Sequence, residues 1–305
     1  MRLLHLRVVL AAVDIDEASV SVLEAARELA LVAGAKLNIV HAWSPVGASD
    51  APVTEREDAL RSVVMRAGVK PTEVPLHLRV GEPTHVIRSF ADRLRADVIV
   101  LGRHREQPAV GAHLGSTALG VVTNAWAPCL MLSRPMRVPL ERILVPVDLS
   151  DRSRGALAVG LSWASALRGA EMLHGPTMND SVSLTSLFVD RVPDAHQVSS
   201  PFVQQMDDEL NLLRREAGTW ASVAIDGNVI TSNDVPRAIA EYAREHQADL
   251  VVLGTRGLGE EAIGRVGSVS LAVARQLDSP ILLVPPAMWS ASDEGSQPPP
   301  ASTGR

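Results

Sequence analysis

Cysteine is almost absent from this chain, since Cys129 is the only one in 305 residues. A single cysteine excludes an intrachain disulfide framework and a cysteine-rich zinc site, and it fits a reducing compartment. Its apolar neighbours predict a small buried hydrophobe rather than a reactive thiol. His104 and His113 have no third ligand at metal-binding spacing, so we expect solvated loop residues there. His41 ends a predicted strand and is expected to be a satisfied edge histidine.

Long apolar runs and basic clusters are lacking as well. No stretch of about 18 apolar residues occurs, so no membrane-spanning segment is expected. The N-terminal apolar segment is interrupted at Arg7 and closed by Asp14, which favours a strand over a signal sequence. The formal net charge is −6, and no cluster of Lys or Arg could follow a phosphate backbone. We therefore expect a cytoplasmic protein with no nucleic-acid or membrane partner.

Several motifs of nucleotide and hydrolase chemistry are missing. A Walker A loop needs Gly-Lys-Ser/Thr and a nucleophile elbow needs Gly-x-Ser-x-Gly, and neither occurs. The SGGxDS motif of PP-loop enzymes is replaced by VDLSDRS at residues 147–153. Residues 257–262 match the dinucleotide pattern GxGxxG/A, but they follow a fourth strand rather than a first, so the match is weak. These absences exclude P-loop, serine-hydrolase and PP-loop chemistry.

An internal repeat organises the chain. RADVIVLG at residues 95–102 recurs as QADLVVLG at residues 247–254, and the same offset relates Gly115-Ser116 to Gly267-Ser268. VLAAVD at residues 9–14 matches ILVPVD at residues 143–148 at a shorter offset. We expect a first domain at 1–136, a second at 137–286, and a polar, proline-rich tail at 287–305 that is disordered.

Within each repeat, short apolar runs alternate with helical patterns. Predicted strands in the first repeat lie at 7–13, 36–42, 75–80, 96–101 and 129–133, and those in the second at 142–147, 183–189, 220–225, 248–253 and 281–284. Such alternation indicates a mainly parallel sheet with helices on both faces. The predicted fold class is α/β, with two tandem doubly wound (Rossmann-like) open domains, each with a five-stranded sheet. The last strand of each repeat is an edge candidate, so we expect the two to pair within the chain, with a homodimer also possible.

Helix ends are predicted from capping signals. Thr54 and Glu57 fit a capping box, and Ser200-Pro201 fits a helix start. Basic residues followed by glycine, at Arg66–Gly68 and at Arg214–Gly218, predict helix stops.

The stretch LGTRGLGEEAIGRVGSVS at residues 253–270 is the main candidate for chemistry. It runs from a predicted strand through glycines at 254, 257 and 267 into a helix, which gives a phosphate group access to unpaired helix N–H donors. Ser268 and Ser270 lie in the first turn of that helix, where they can either cap it or bond phosphate oxygens. Asp148 ends a strand at the same sheet edge, where it either accepts hydrogen bonds from a nucleoside or caps the next helix.

These residues resemble the ATP-binding universal stress protein family. Gly254-x-x-Gly257, nine residues and Gly267-Ser268 match its G-2x-G-9x-G(S/T) pattern, and residues 143–150 look like its first strand. The resemblance implies an adenine-nucleotide site (ATP, ADP or AMP), a regulatory stress role and an unknown protein partner, and it leaves open whether magnesium or manganese accompanies the phosphates. The implied nucleotide-binding residues are Pro146, Val147, Asp148, Val189, Leu253, Gly254, Arg256, Gly257, Gly267, Ser268, Val269 and Ser270.

The first repeat departs from this pattern. Arg105 occupies the second glycine position, Ala118 replaces the second hydroxyl and Ala12 replaces the proline before the aspartate. A weaker second site would consist of Asp14, Gly102, Arg105, Gly115 and Ser116. We therefore expect one nucleotide site per chain, in the second domain.

Two other functions stay open. A slow ATPase or nucleotide hydrolase needs a base or water-positioning group near the γ-phosphate, and Glu260 and Glu261 are the only carboxylates in the loop. A scaffold that binds no nucleotide is the other alternative. We expect binding with at most slow turnover.

Overall fold

The computed structural model describes residues 6–44, 52–103, 115–136, 138, 140–167, 182–190, 204–205, 207–208, 211, 223–255 and 266–286. Ten strands and seven helices have described bounds, and residues 204–205, 207–208 and 211 are also helical. The strands are β1 (Val8–Ala12), β2 (Lys36–Trp43), β3 (Leu76–Val80), β4 (Val98–Gly102), β5 (Cys129–Leu132), β6 (Arg142–Val147), β7 (Val182–Asp190), β8 (Val223–Thr231), β9 (Leu250–Gly254) and β10 (Ile281–Val284). The helices are α1 (Ala18–Ala33), α2 (Val53–Arg66), α3 (Pro83–Leu94), α4 (Ser116–Asn124), α5 (Asp151–Leu167), α6 (Val235–Glu245) and α7 (Ser268–Gln276). We call β1–β5 with α1–α4 repeat 1, and β6–β10 with α5–α7 repeat 2.

All ten strands form one sheet in the order β3-β2-β1-β4-β5-β10-β9-β6-β7-β8. Each repeat contributes five parallel strands in the same order, with its first strand between its second and its fourth. Parallel neighbours need crossover connections, and helices supply them. The predicted α/β, doubly wound (Rossmann-like) fold class is therefore confirmed.

Strands β5 and β10 join the two repeats. They pair antiparallel, with Met131 opposite Ile281 and Cys129 opposite Leu283. These are the strands that the sequence placed at the sheet edges, so the expected intrachain pairing is present. It turns two five-stranded sheets into a single sheet of ten strands.

Two apolar layers cover the sheet. Helices α1, α2 and α5 pack on one face, and α3, α4, α6 and α7 pack on the other. Successive residues of β1 alternate between the layers, with Val9 and Ala11 in the first and Leu10 and Ala12 in the second. Each layer contains buried side chains from both repeats, so the repeats share a continuous hydrophobic core.

Strand β8 differs from its prediction. The sequence predicts a strand at 220–225, whereas β8 runs from Val223 to Thr231 and pairs with β7 along its whole length. Asp226, Gly227 and Asn228 have the composition of a turn but lie within the strand. β8 is the last strand of the sheet, and an edge strand has one side where polar residues are tolerated.

The predicted capping box in α2 is wrong. The helix begins at Val53 with Pro52 at the N-cap position, so Thr54 lies inside the first turn. Pro52 has a φ of −55°, which the pyrrolidine ring fixes, and this favours a helix start one residue downstream. The predicted stop is confirmed, because α2 ends at Arg66 and Gly68 has a φ of 70°.

His41 also differs from its prediction. β2 lies between β1 and β3, so His41 is not on an edge strand. Its side chain is buried, and Nδ1 lies 3.0 Å from the carbonyl oxygen of Val13. Within the described residues its Nε2 has no hydrogen-bond partner, so the ring is satisfied on one side only.

Other sequence predictions lie outside the described residues. They concern His104, His113, Ser200-Pro201, the stop at 214–218 and the tail at 287–305. Among the helices that are described, none has the length and apolar character to cross a membrane.

Candidate functional site

The first and fourth strands of repeat 2 are parallel neighbours, and the order in which the chain adds strands to the sheet reverses at this point. β6 pairs with β9, but the chain continues from β6 towards β7 on one side and from β9 towards β10 on the other. Open parallel sheets bind ligands at the carboxyl ends of strands where such a reversal occurs. Asp148 follows β6 and Gly254 ends β9, so the predicted aspartate and the start of the glycine loop lie at this crevice.

Asp148 is fixed by a local turn. Its Oδ1 accepts hydrogen bonds from the backbone N–H of Ser150 at 3.1 Å and from the Ser150 hydroxyl. Leu149, between them, has a φ of 60°, a left-handed conformation that a leucine rarely adopts. The Ser150 hydroxyl in turn accepts from the N–H of Ser153 at 3.2 Å, in the first turn of α5. Ser150 therefore makes a capping bond of α5, and Asp148 holds Ser150 in place.

Helix α7 begins at the far side of the glycine loop. Gly267 is its N-cap residue, with φ −56° and ψ 142°, and as a glycine it has no side chain to cap this end. The Gly267 N–H donates to the carbonyl oxygen of Thr255 at 2.6 Å, which holds the two ends of the loop together. The start of α7 consequently lies beside the carboxyl end of β9.

Ser270 ties the same helix to β9. Its hydroxyl donates to the carbonyl oxygen of Gly254 at 2.6 Å, and its side chain is buried. A hydroxyl has one proton, and ionised phosphate oxygens only accept hydrogen bonds. In this conformation the Ser270 hydroxyl proton bonds the Gly254 carbonyl oxygen and is not available to a phosphate. The hydroxyl thus holds α7 against β9. Ser268 is exposed at the first position of the helix, and Val269 is half-buried beside it.

Repeat 1 has a cavity of about 220 Å³ at the equivalent crevice. Asp14, Gly102 and Gly115 of the weaker predicted site line it together, whereas Ser116 lies at the exposed start of α4 and Arg105 is outside the described residues. The lining also includes several equivalents of the predicted repeat 2 site, namely Ala12, Val13, Ala42, Leu101, Thr117 and Ala118. The cavity shows that residues at these repeat positions converge on one space.

The strand registers define which residues are equivalent. Ala12 pairs with Val40 in repeat 1, and Pro146, at the position of Ala12, pairs with Leu187 in repeat 2. Ala42 and Val189, each two residues further along, therefore occupy the same position. With the sequence offsets, the cavity-lining residues of repeat 1 correspond in repeat 2 to Pro146, Val147, Asp148, Val189, Leu253, Gly254, Gly267, Val269 and Ser270.

A comparison with protein families identifies the chain. The family model described as "Universal stress protein family" matches residues 5–133 and again residues 139–285. The chain belongs to the universal stress protein family. The two matches cover both repeats, so it is a tandem member of that family.

Relatives of known sequence and structure agree with this assignment. A universal stress protein of Mycobacterium tuberculosis is 27% identical over 213 residues, and the alignment covers 67% of this chain and 64% of that protein. A universal stress protein structure from Archaeoglobus fulgidus covers 92% of this chain and 98% of that chain, with 19% identity and a TM-score of 0.66. A structure described as a putative universal stress protein from Pseudomonas aeruginosa covers 95% of this chain and 97% of that chain, with 16% identity and a TM-score of 0.64. The structural likeness shows the fold.

One difference between the two universal stress protein repeats affects the opening of the crevice. The β1–β4 pairing extends to Ala12 opposite Leu101, whereas the β6–β9 pairing covers Ile143 and Leu144 only. Pro146, at the position of Ala12, has no N–H and cannot extend the ladder. The carboxyl ends of β6 and β9 are therefore less tightly joined than those of β1 and β4.

Two arginines at the repeat 1 cavity were not identified from the sequence. Arg103 and Arg134 both line it, next to the predicted Gly102 and close to the end of β5. Arg103 occupies the position of Thr255 in repeat 2. This difference between the repeats is visible in the sequence and could have marked Arg103 as a candidate. Two residues predicted for repeat 2, Arg256 and Gly257, lie outside the described residues, as do Glu260 and Glu261.

Cys129 is not part of the crevice chemistry. Its side chain is buried in β5, and burial raises the pKa of its thiol to about 12. A thiol with this pKa is protonated at neutral pH and is a poor nucleophile. The prediction of a small buried hydrophobe is confirmed.

Proposed function

We propose that this universal stress protein binds one adenine nucleotide in repeat 2 and that occupancy regulates its contacts with a protein partner. The observation that carries the proposal is that Asp148 and Gly254 stand at the carboxyl ends of two neighbouring strands, β6 and β9, and that α7 begins beside Gly254. A carboxylate and a helix N-terminus complement the two ends of a nucleotide. The adenine amino group is a donor for the carboxylate, and the phosphates are acceptors for the helix N–H groups.

The phosphate end would depend on backbone groups. Gly254 and Gly267 have no Cβ, so a phosphate can approach their backbone closely. The N–H groups at the start of α7 carry the positive end of the helix dipole, which favours an anion there. Ser268, exposed at the first helical position, would add a hydroxyl donor.

The nucleoside end would depend on β6 and β7. Asp148 would accept from the adenine amino group or a ribose hydroxyl, while the backbone beside Val147 and Val189 would line the base. Both strands end at the same edge of the sheet, as their register requires. The local turn at Leu149 and Ser150 holds the carboxylate in place before any ligand arrives.

A divalent cation that accompanies the nucleotide would be bound mainly by the phosphate oxygens. Among the described residues, no three His, Cys, Asp or Glu side chains come close enough to hold a metal ion. Magnesium typically keeps several waters and is bound through one or two carboxylates and substrate phosphates. We accordingly propose that magnesium or manganese would bind with the nucleotide, at the triphosphate.

Paired glycine substitutions test the proposal. Gly267 and Gly115 have nearly the same backbone angles, φ −56° and ψ 142° against φ −55° and ψ 146°, and any residue adopts these without strain. Gly267→Val should therefore leave the fold intact but place a branched side chain in the phosphate path. We expect it to abolish ATP binding measured by isothermal titration calorimetry.

Gly115→Val is the matched control in repeat 1. We expect it to leave both the affinity and the stoichiometry of ATP binding unchanged, because the proposed site lies in repeat 2. Wild-type affinity in the folded Gly267→Val protein would refute the phosphate site. Loss of binding in the Gly115→Val protein alone would instead place the nucleotide in repeat 1.

A further inference from the structure

Arg103 of repeat 1 reaches into repeat 2. Arg103 follows β4 directly and lines the repeat 1 cavity. Its guanidinium donates hydrogen bonds to the carbonyl oxygens of Ala274 and Leu277 and to the hydroxyl of Ser133. Ala274 lies in the last turn of α7 and Leu277 is its C-cap residue. Arg103 therefore places a positive charge at the C-terminal end of α7.

Neighbouring residues reinforce the same contact. The Ser133 hydroxyl donates to the carbonyl oxygen of Asp278 at 2.7 Å, and Arg134 donates to the Ser279 hydroxyl at 3.2 Å. These contacts continue the antiparallel pairing of β5 with β10. The end of α7 and the turn into β10 are thus held by residues from the wall of the repeat 1 cavity.

The contact is not reproduced by symmetry. The equivalent of Arg103 in repeat 2 is Thr255, which has neither the length nor the charge to cap the corresponding end of α4. Thr255 instead uses its backbone, donating to Val284 and accepting from Gly267. The arginine contact consequently acts in one direction, from repeat 1 onto the last helix of repeat 2.

We propose that Arg103 is a positioning residue for the phosphate site of repeat 2. This rests on the proposed function, because the N-terminus of α7 is the part of the helix that would bind phosphate. The helix is only nine residues long, so its two ends are rigidly linked. Hydrogen bonds from a guanidinium neutralise the negative end of the helix dipole and fix the helix relative to β9 and β10. The repeat 2 site would then be incomplete without repeat 1.

The prediction separates phosphate recognition from base recognition. Arg103→Met removes the charge and the hydrogen bonds but keeps most of the side-chain length. We expect ATP affinity to fall roughly fivefold, the scale of a single charge at a helix terminus. Adenosine affinity should stay the same, since adenosine has no phosphate to contact α7. Arg103→Lys, which keeps the charge but loses the planar fork, should give an intermediate ATP affinity.

The experiment measures ATP and adenosine affinities by calorimetry on the full chain. All variants are made in the otherwise wild-type chain, and the Gly267→Val protein, in which repeat 2 should not bind, shows whether repeat 1 contributes any signal. Arg7→Met is the control, because Arg7 is an exposed arginine of repeat 1 directly before β1, at the amino end of the strands and away from the crevice. It should leave both affinities unchanged.

The outcomes distinguish this proposal from the proposed function. An ATP affinity that falls while adenosine affinity holds supports the positioning role. Unchanged ATP affinity in Arg103→Met, or an equal loss for ATP and adenosine, overturns it while leaving the nucleotide site intact. Absence of ATP binding in the wild-type protein overturns the proposed function, and the role of Arg103 is rejected with it.

Discussion

Ser270 connects the glycine loop to the helix that follows it. Its buried hydroxyl donates to the carbonyl oxygen of Gly254, so one hydrogen bond fixes the end of β9 against the first turn of α7. In repeat 1 the same position is Ala118, and α4 still begins at the equivalent residue. A helix can therefore begin at this position without the hydroxyl. We expect the hydroxyl of Ser270 to contribute mainly to the stability of the folded protein.

The substitution Ser270→Ala should destabilise the folded protein by about 1 kcal/mol, because it removes a hydrogen bond and leaves the buried Gly254 carbonyl without this donor. The measurement is the midpoint of urea unfolding. ATP affinity should change far less than in Gly267→Val. Ser62→Ala, on the exposed side of α2, is the control and should stay within about 0.5 kcal/mol of the wild type. An unchanged unfolding midpoint in Ser270→Ala would show that the hydrogen bond contributes nothing.

At the scale of the element, the start of α3 is defined by a side-chain cap. Glu82 is its N-cap residue and accepts hydrogen bonds from the backbone N–H groups of Thr84 at 3.0 Å and His85 at 2.7 Å. Burial of Glu82 raises the pKa of its carboxyl group. The hydrogen bonds from His85 and Thr84 lower this pKa and together outweigh the effect of burial, so the pKa is lower than that of an ordinary glutamate. Pro83 at the first helical position completes this start.

A lowered pKa in the folded state means that Glu82 stabilises the fold at neutral pH. This stability is present above the pKa of an unfolded glutamate, about 4.3, and is lost as the pH falls through the lower folded-state pKa. Glu82→Gln should cost about 0.5–1 kcal/mol at pH 7, and the difference should shrink towards zero near pH 3. Urea unfolding at both pH values measures it.

Glu55→Gln serves as the control for the helix dipole alone, since Glu55 is an exposed carboxylate in the first turn of α2. Its effect should be smaller than that of Glu82→Gln at pH 7. A Glu82→Gln deficit that is equal at pH 7 and pH 3 would contradict the role of the charged carboxylate.

Sequence patterns located the elements better than their ends. Each predicted strand has a counterpart, because runs of Val, Ile and Leu mark the strands inside the sheet, which are buried on both faces. β8 was misplaced because it is an edge strand with polar residues in its middle. The start of α2 was missed because Thr54 imitates a capping residue while Pro52 sets the backbone. Local signals of similar strength compete at such positions, and tertiary contacts decide between them.

At the scale of the whole molecule, the pairing of β5 with β10 makes the two repeats one structure. The sequence predicted this pairing, since both strands were edge candidates of a repeated fold. It did not predict the contact of Arg103 with the end of α7, which joins residues 171 and 174 positions apart and depends on the pairing itself. The repeat 1 cavity was likewise visible only in three dimensions.

Asymmetry between the repeats is the feature that bears most on function. Repeat 2 has the complete glycine pattern in its sequence, with Pro146 before its aspartate, whereas repeat 1 has Ala12, Arg105 and an open cavity that contains Arg103. We infer that one repeat binds nucleotide and the other supports it. A stoichiometry of about one nucleotide per chain follows from this division.

The most direct test of the central claim is the amount of nucleotide that the purified protein carries. The full chain is denatured by heat, and the small molecules released are separated by chromatography and quantified against protein concentration. The account predicts about one equivalent of adenine nucleotide per chain in the wild type and in Gly115→Val, and none in Gly267→Val. Two equivalents per chain, or nucleotide retained in Gly267→Val, would contradict it.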